Sequence, residues 1–270
     1  MNPSKNIFLR MLVLLAAASI ILPIALLVVW CIVNRWPWPE IIPTELTLRG
    51  LQRLFTGYSN TAQALIFSIL FSLMIGIIST IIATMTARAL TQYDFVGKKL
   101  VETLAFLPLV VPATVFAFGS HMLFLRMGLG NTAFAVALSH IIYTLPFSVR
   151  IMLDVTKASS DRYEQQARVL GAPPAAAFIH GTLPIITPGI ISSLAVSFLI
   201  SYTQYFLTVM LGGGKVKTLA IIVMPLITGS DRTISSAYSV MYILSTLLVF
   251  LLFQRISAIM SKRVGAQLAR

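Results

Sequence analysis

Charge is what this chain has least of. Only 10% of its 270 residues are charged, against about 25% in a soluble domain. Acids are scarcest, with eight Asp and Glu beside 20 Lys and Arg. The eight are Glu40, Glu45, Asp94, Glu102, Asp154, Asp161, Glu164 and Asp231, all in loops or at the ends of apolar runs. A proton-driven carrier usually keeps a carboxylate pair in mid-membrane, so this placement argues against one. It also leaves no evident counter-ion for a polycation. Cysteine is nearly absent. The single Cys31 lies inside an apolar run, which excludes an internal disulfide and gives no thiolate metal or redox motif. His121, His140 and His180 lack metal-ligand spacing. A phosphate-binding loop is missing too. Gly214-Lys215-Val216 has neither the hydroxyl residue after the lysine nor the earlier glycine that cradling a phosphate needs. No cluster of His, Asp or Ser gathers at one membrane border, as a membrane enzyme would require. The expectation is a chain with no catalytic residue, no metal and no cofactor of its own.

What is present is apolar. Some 57% of the residues are hydrophobic, which marks an integral membrane protein before any motif is read. No polar run is long enough to fold alone, so residues 1–270 read as one transmembrane domain. Six spans are expected, at about 11–32, 64–87, 101–125, 133–153, 187–211 and 235–256. The first is too long for a signal-peptide core and lacks a small-residue cleavage site. Trp30, Trp36 and Trp38 mark its far interface, where indoles settle. Leu48–Phe55 reads as a short surface helix. In the second span Ser68, Ser72, Gly76, Ser79, Thr80, Ala83 and Thr84 recur at helical spacing, as on a face packed against another helix. Pro108 and Pro112 interrupt the third. Gly128 to Thr132 makes a tight turn, and the apolar run Leu219–Ile227 is too short to span.

Six spans put both termini on one side. Sorted by side, 13 of the Lys and Arg fall with the termini and seven opposite. The positive-inside bias therefore places both termini, and the loop at 160–184, in the cytoplasm. This explains the net charge of +12 as topology and not as nucleic-acid binding, because the basic residues border the spans instead of lining one face.

The 160–184 loop carries the clearest punctuation. Asp161 can cap a helix, with Glu164 three residues on reaching back as in a capping box. Gly171 stands where a left-handed C′ residue closes that helix. Pro173 and Pro174 suit the first turn of a second helix, which Ala175 to His180 continue and Leu183-Pro184 end. Helix, glycine turn, helix, then Leu-Pro resembles the EAA loop of the permease subunits of binding-protein-dependent ABC importers. In that family Glu-Ala-Ala precedes the glycine. Here those positions are Gln165, Gln166 and Ala167, so the first two depart, and Glu164 stands just before them. Other motifs follow in the same order: Asn60-Thr61 and Ala87-Arg88 bounding the second span, Pro108 and Pro112, Gly128 to Thr132, and Leu145 to Arg150. The set is most similar to the branch handling polyamines, ferric iron, thiamine or aminophosphonates.

The resemblance implies an all-α integral membrane protein of the type I permease fold in a bacterial inner membrane. It implies a path for a small solute, formed with a second permease chain, identical or paralogous. It also implies an external solute-binding protein and a pair of cytoplasmic ATP-binding subunits. Glu164, Gln165, Gln166, Ala167, Gly171, Ala172, Pro173, Leu183 and Pro184 would couple the loop to the ATPase, and His180 would lie against it. By the same analogy the fifth span lines the path. Ser197, Ser201, Tyr202, Gln204 and Tyr205 are its polar and aromatic patch, serving there or as hydrogen-bonding glue between helices. His121 and His140 pose the same alternative. The competing reading is a stand-alone secondary carrier or channel.

Overall fold

The structure is a computed structural model that describes residues 3–37, 39–56, 61–159 and 162–268. The expectations for Trp38, Asn60 and Asp161 fall outside these residues. Twelve helices follow one another, and no strand occurs among the described residues. The first span is α1 (Pro3–Trp30), the surface helix α2 (Arg49–Thr56) and the second span α3 (Thr61–Gln92). Next come α4 (Lys98–Val110), α5 (Ala113–Arg126), α6 (Ala133–Ala158) and α7 (Arg162–Val169). The last are α8 (Pro174–Ala177), α9 (Leu183–Thr203), α10 (Phe206–Gly212), α11 (Leu219–Thr228) and α12 (Arg232–Leu268). Among the described residues five helices are long and apolar enough to cross a membrane, and α4 with α5 make a sixth candidate, bent by 108°. Helices α3, α6 and α12 overrun the expected limits because apolarity marks only the part in hydrocarbon. At about 1.5 Å per residue, α3 is roughly 48 Å long against a core of about 30 Å.

The interruption expected of the third span, over 101–125, is a bend between α4 and α5. Val111 is extended (φ −84°, ψ 123°), the conformation that a following proline imposes. Pro112 then opens α5 with no N–H to lose. Two expectations need correction. Leu183-Pro184 does not end the loop's second helix. The chain stays helical from Pro174 to Thr203, through a π turn at Phe178–Thr182. Pro184 falls in the first turn of α9, where its missing N–H costs nothing. Nor does the fifth span run unbroken over 187–211. It breaks at Gln204 (φ −76°, ψ 94°) and restarts as α10. The carbonyl freed there is met by the Thr208 hydroxyl at 2.6 Å.

The chain divides into two compact units, residues 1–63 with 222–245 and residues 64–221 with 246–270. In the first, Val33 pairs with Leu46 across an isolated antiparallel bridge. The Thr233 hydroxyl donates to the Val33 carbonyl, and Thr61 meets Tyr238 at 3.2 Å. In the second, α6 packs along α9, and the small-residue face of α3 is buried at Ser68, Ser72, Ser79, Thr80 and Ala83. Two apolar cores form. One gathers Phe71, Ile75, Phe124, Val136, Leu207 and Leu211. The other gathers Ala83, Ala87, Val149, Met152, Leu153 and Ile186. Between these two cores α3, α6 and α9 bury a set of polar residues, Ser79, Thr80, Ser139, His140, Thr144, Ser148, Ser193, Ser197 and Ser201.

Candidate functional site

The 160–184 loop is built around one carboxylate. Glu164 on α7 is buried, at 7% exposure. Its Oε2 accepts from Arg88 Nη2 at the foot of α3, at 3.0 Å, and from the Thr182 hydroxyl at 2.8 Å. Oε1 accepts from the same Arg88 nitrogen at 3.2 Å and lies 3.7 Å from Arg168. The Arg88 guanidinium also stacks over the Phe178 ring, 4.0 Å from its centroid. One acid therefore ties α3, α7 and the π turn together. The capping box expected of Glu164 involves Asp161 and lies outside the described residues. Stripping such a buried acid of its cation costs about 3–5 kcal/mol, so the contact fixes the loop on α3.

The end of α7 follows from Gly171. Its N–H donates to the Arg168 carbonyl at 3.0 Å, and the Ala172 N–H reaches back to Ala167 at 2.9 Å. These are the two bonds of a Schellman motif. They require φ of +89° at Gly171, where any side chain is strained. Gln165, Gln166, Gly171 and Pro173 are exposed, Ala167, Ala172, Leu183 and Pro184 are half-buried, and His180 is exposed with its Nδ1 near the Ala176 carbonyl. Val169 and Leu170, at 87% and 88% exposure, add an apolar tip that sequence reasoning did not single out. The signal was two apolar residues directly before the closing glycine in a polar stretch. Arg88 was noted only as the foot of a span, because its partner lies 76 residues away.

The polar residues between the cores pair across helices. Ser79 meets Thr144 at 2.7 Å and Thr80 meets Ser193 at 3.2 Å. Ser148 meets Ser197. His140 is fully buried on α6. It bonds Ser201 through Nδ1 at 3.0 Å and Thr208 through Nε2 at 3.1 Å, and so bridges the two sides of the break in the fifth span. Thr208 already donates to Gln204, so its oxygen must accept from Nε2–H. Nδ1 is then the acceptor for the Ser201 hydroxyl. Of the patch expected to line a path, Ser197 and Ser201 face α6 and Tyr202 is buried, stacked on Phe198. Gln204 and Tyr205, at the break, are half-buried.

A bundle of apolar spans carrying a clamped helix–glycine–helix loop defines a membrane permease. Comparison agrees. The fold matches a chain of the bacterial ABC transporter involved in import of the acidic polysaccharide alginate, with a TM-score of 0.73 at 16% identity over 94% of this chain and 98% of that one. The chain is 26% identical over 201 residues to the spermidine/putrescine transport system permease protein PotC of Haemophilus influenzae, covering 74% of this chain and 78% of that protein. It is 25% identical over 247 residues, 90% of each protein, to the putative 2-aminoethylphosphonate transport system permease protein PhnV of Salmonella typhi. The family described as binding-protein-dependent transport system inner membrane component matches residues 79–266, and the chain belongs to it. It is a multi-pass permease subunit of an ABC importer, not an enzyme.

Proposed function

We propose that α7, closed by Gly171, is the element through which this subunit receives the ATPase stroke. Its exposed side, Gln165, Gln166, Val169 and Leu170, would seat in an ATP-binding subunit. The observation that carries the reading is the Glu164–Arg88–Thr182 cluster. A loop tied by a buried ion pair to α3 and by a hydroxyl to the helix leading into α9 transmits displacement to both. The basic residues border the loop side in excess, which supports a cytoplasmic loop with both termini beside it. A second permease chain, identical or paralogous, would complete the path, with Gln204 and Tyr205 at its wall, and an external binding protein would deliver a small polar solute. Two relatives carry names for spermidine/putrescine transport and for putative 2-aminoethylphosphonate transport, and the path residues proposed here are neutral hydrogen-bonding groups.

The test is to extract the tagged chain from native membranes in mild detergent, identify what co-purifies, and repeat with Gly171→Val. An ATPase with one or two permease chains is expected, and Gly171→Val should assemble in the membrane but lose ATP-driven uptake. Recovery of the chain alone, or normal uptake by the variant, overturns the assignment.

A further inference from the structure

One apolar face in the first unit has no cover among the described residues. At about 100° per residue, the residues of α2 fall into three sectors. Gly50 occupies the first. A Cβ there would lie 2.8 Å from the Thr233 carbonyl oxygen, 3.1 Å from Ala237 Cβ and 3.2 Å from the Cys31 carbonyl oxygen. The backbone of α2 therefore rests directly on the end of α1 and the start of α12, and only a glycine allows so close an approach. Arg49 and Arg53 occupy the second sector, where Arg49 pairs with Asp231 at 2.9 Å. Leu51 and Phe55 occupy the third, continued by Leu48 just before the helix. All three are exposed, Phe55 to 88%.

The occupant of that third sector follows from where α2 is held. Trp30 and Trp36, with ring centroids 5.5 Å apart, stand at the end of α1, and indoles collect at the headgroup level. The most apolar stretch of α1 has none of its residues buried within the chain, so α2 is pinned at the rim of an apolar span. A helix at that level, with arginines on one side and leucine and phenylalanine on the other, has the sectoring of one lying in the interface plane. A protein-docking patch instead has an apolar centre ringed by polar residues. We propose that α2 is an interfacial anchor, with Leu51 and Phe55 inserted at the boundary of headgroups and acyl chains and Arg49 and Arg53 turned to the water and phosphate side.

The test uses the assembled importer in lipid nanodiscs. Nitroxide labels are placed one at a time by Leu51→Cys, Gln52→Cys, Arg53→Cys and Phe55→Cys. Cys31 is buried, with its thiol donating to the Leu27 carbonyl, so it stays, and the unsubstituted chain serves as the labelling control. Relaxation by oxygen, which concentrates in the bilayer, is compared with relaxation by a water-soluble nickel chelate. The oxygen-to-nickel ratio should be several-fold higher at 51 and 55 than at 52 and 53. Equal nickel access at 53 and 55 would put the face in water. Exclusion of both reagents at 55 would put it under a protein, whether a binding protein or a second permease. Either result overturns the proposal.

Discussion

Along α3 the polar partners change kind within about 14 Å. Ser79 and Thr80 meet hydroxyls on α6 and α9, while Arg88 meets a carboxylate on α7. The two arrangements answer different demands. A buried hydroxyl that loses its partner can turn to a carbonyl of its own helix, as Thr84 does to Thr80 and Thr187 to Leu183. Such interhelical contacts average about 0.6 kcal/mol, so each one between α3, α6 and α9 is cheap to exchange. A buried carboxylate has no such refuge, and separating it from Arg88 costs several times more. The difference suggests that the bundle is soft between spans and stiff where the loop joins α3.

Substitutions at three positions would break or sharpen this contrast. Arg88→Ala should have the largest effect, stranding Glu164 at about 3 kcal/mol. ATP-driven uptake in proteoliposomes should collapse while the chain still inserts. Arg88→Lys should recover part of it, and full uptake by Arg88→Ala would end the idea that the ion pair ties the loop to α3. His140→Leu comes next. The Ser201 hydroxyl loses its acceptor but can turn to its own helix, and Thr208 keeps Gln204, so about 1–2 kcal/mol is expected. At about 2–4 °C per kcal/mol the unfolding midpoint should drop by a few degrees, and an unchanged midpoint would remove the bridge across the break. Ser193→Ala should be the mildest, shifting the midpoint by about 1–2 °C. A loss comparable to that of Arg88→Ala would erase the distinction between soft and stiff contacts.

Much of this was legible before any coordinates. The apolar runs and the small residues of the second span told which face of α3 is buried, because in a bilayer close approach selects small side chains. Gly171 announced the end of α7, since the left-handed position has few other tenants. The break at Gln204 was not legible. Neither proline nor glycine marks it, and it is held by Thr208 and His140, partners with no signal of their own. The bend at Val111 was half legible: Pro108 and Pro112 located an interruption, but its 108° depends on how α4 and α5 pack. Glu164 was placed correctly on its helix and read for local capping, because a local rule cannot weigh a cation 76 residues upstream.

The π turn at Phe178–Thr182 has a mechanical consequence. It keeps the chain wound where a hinge would otherwise sit, so Pro174 to Thr203 form one strut, 30 residues and about 45 Å long. If α7 receives the ATPase stroke as proposed, a continuous helix hands on a push as tilt more than a flexible linker would. Pro188, which has no N–H for the Pro184 carbonyl, is one place along its length able to bend, and Gln204 marks its far end.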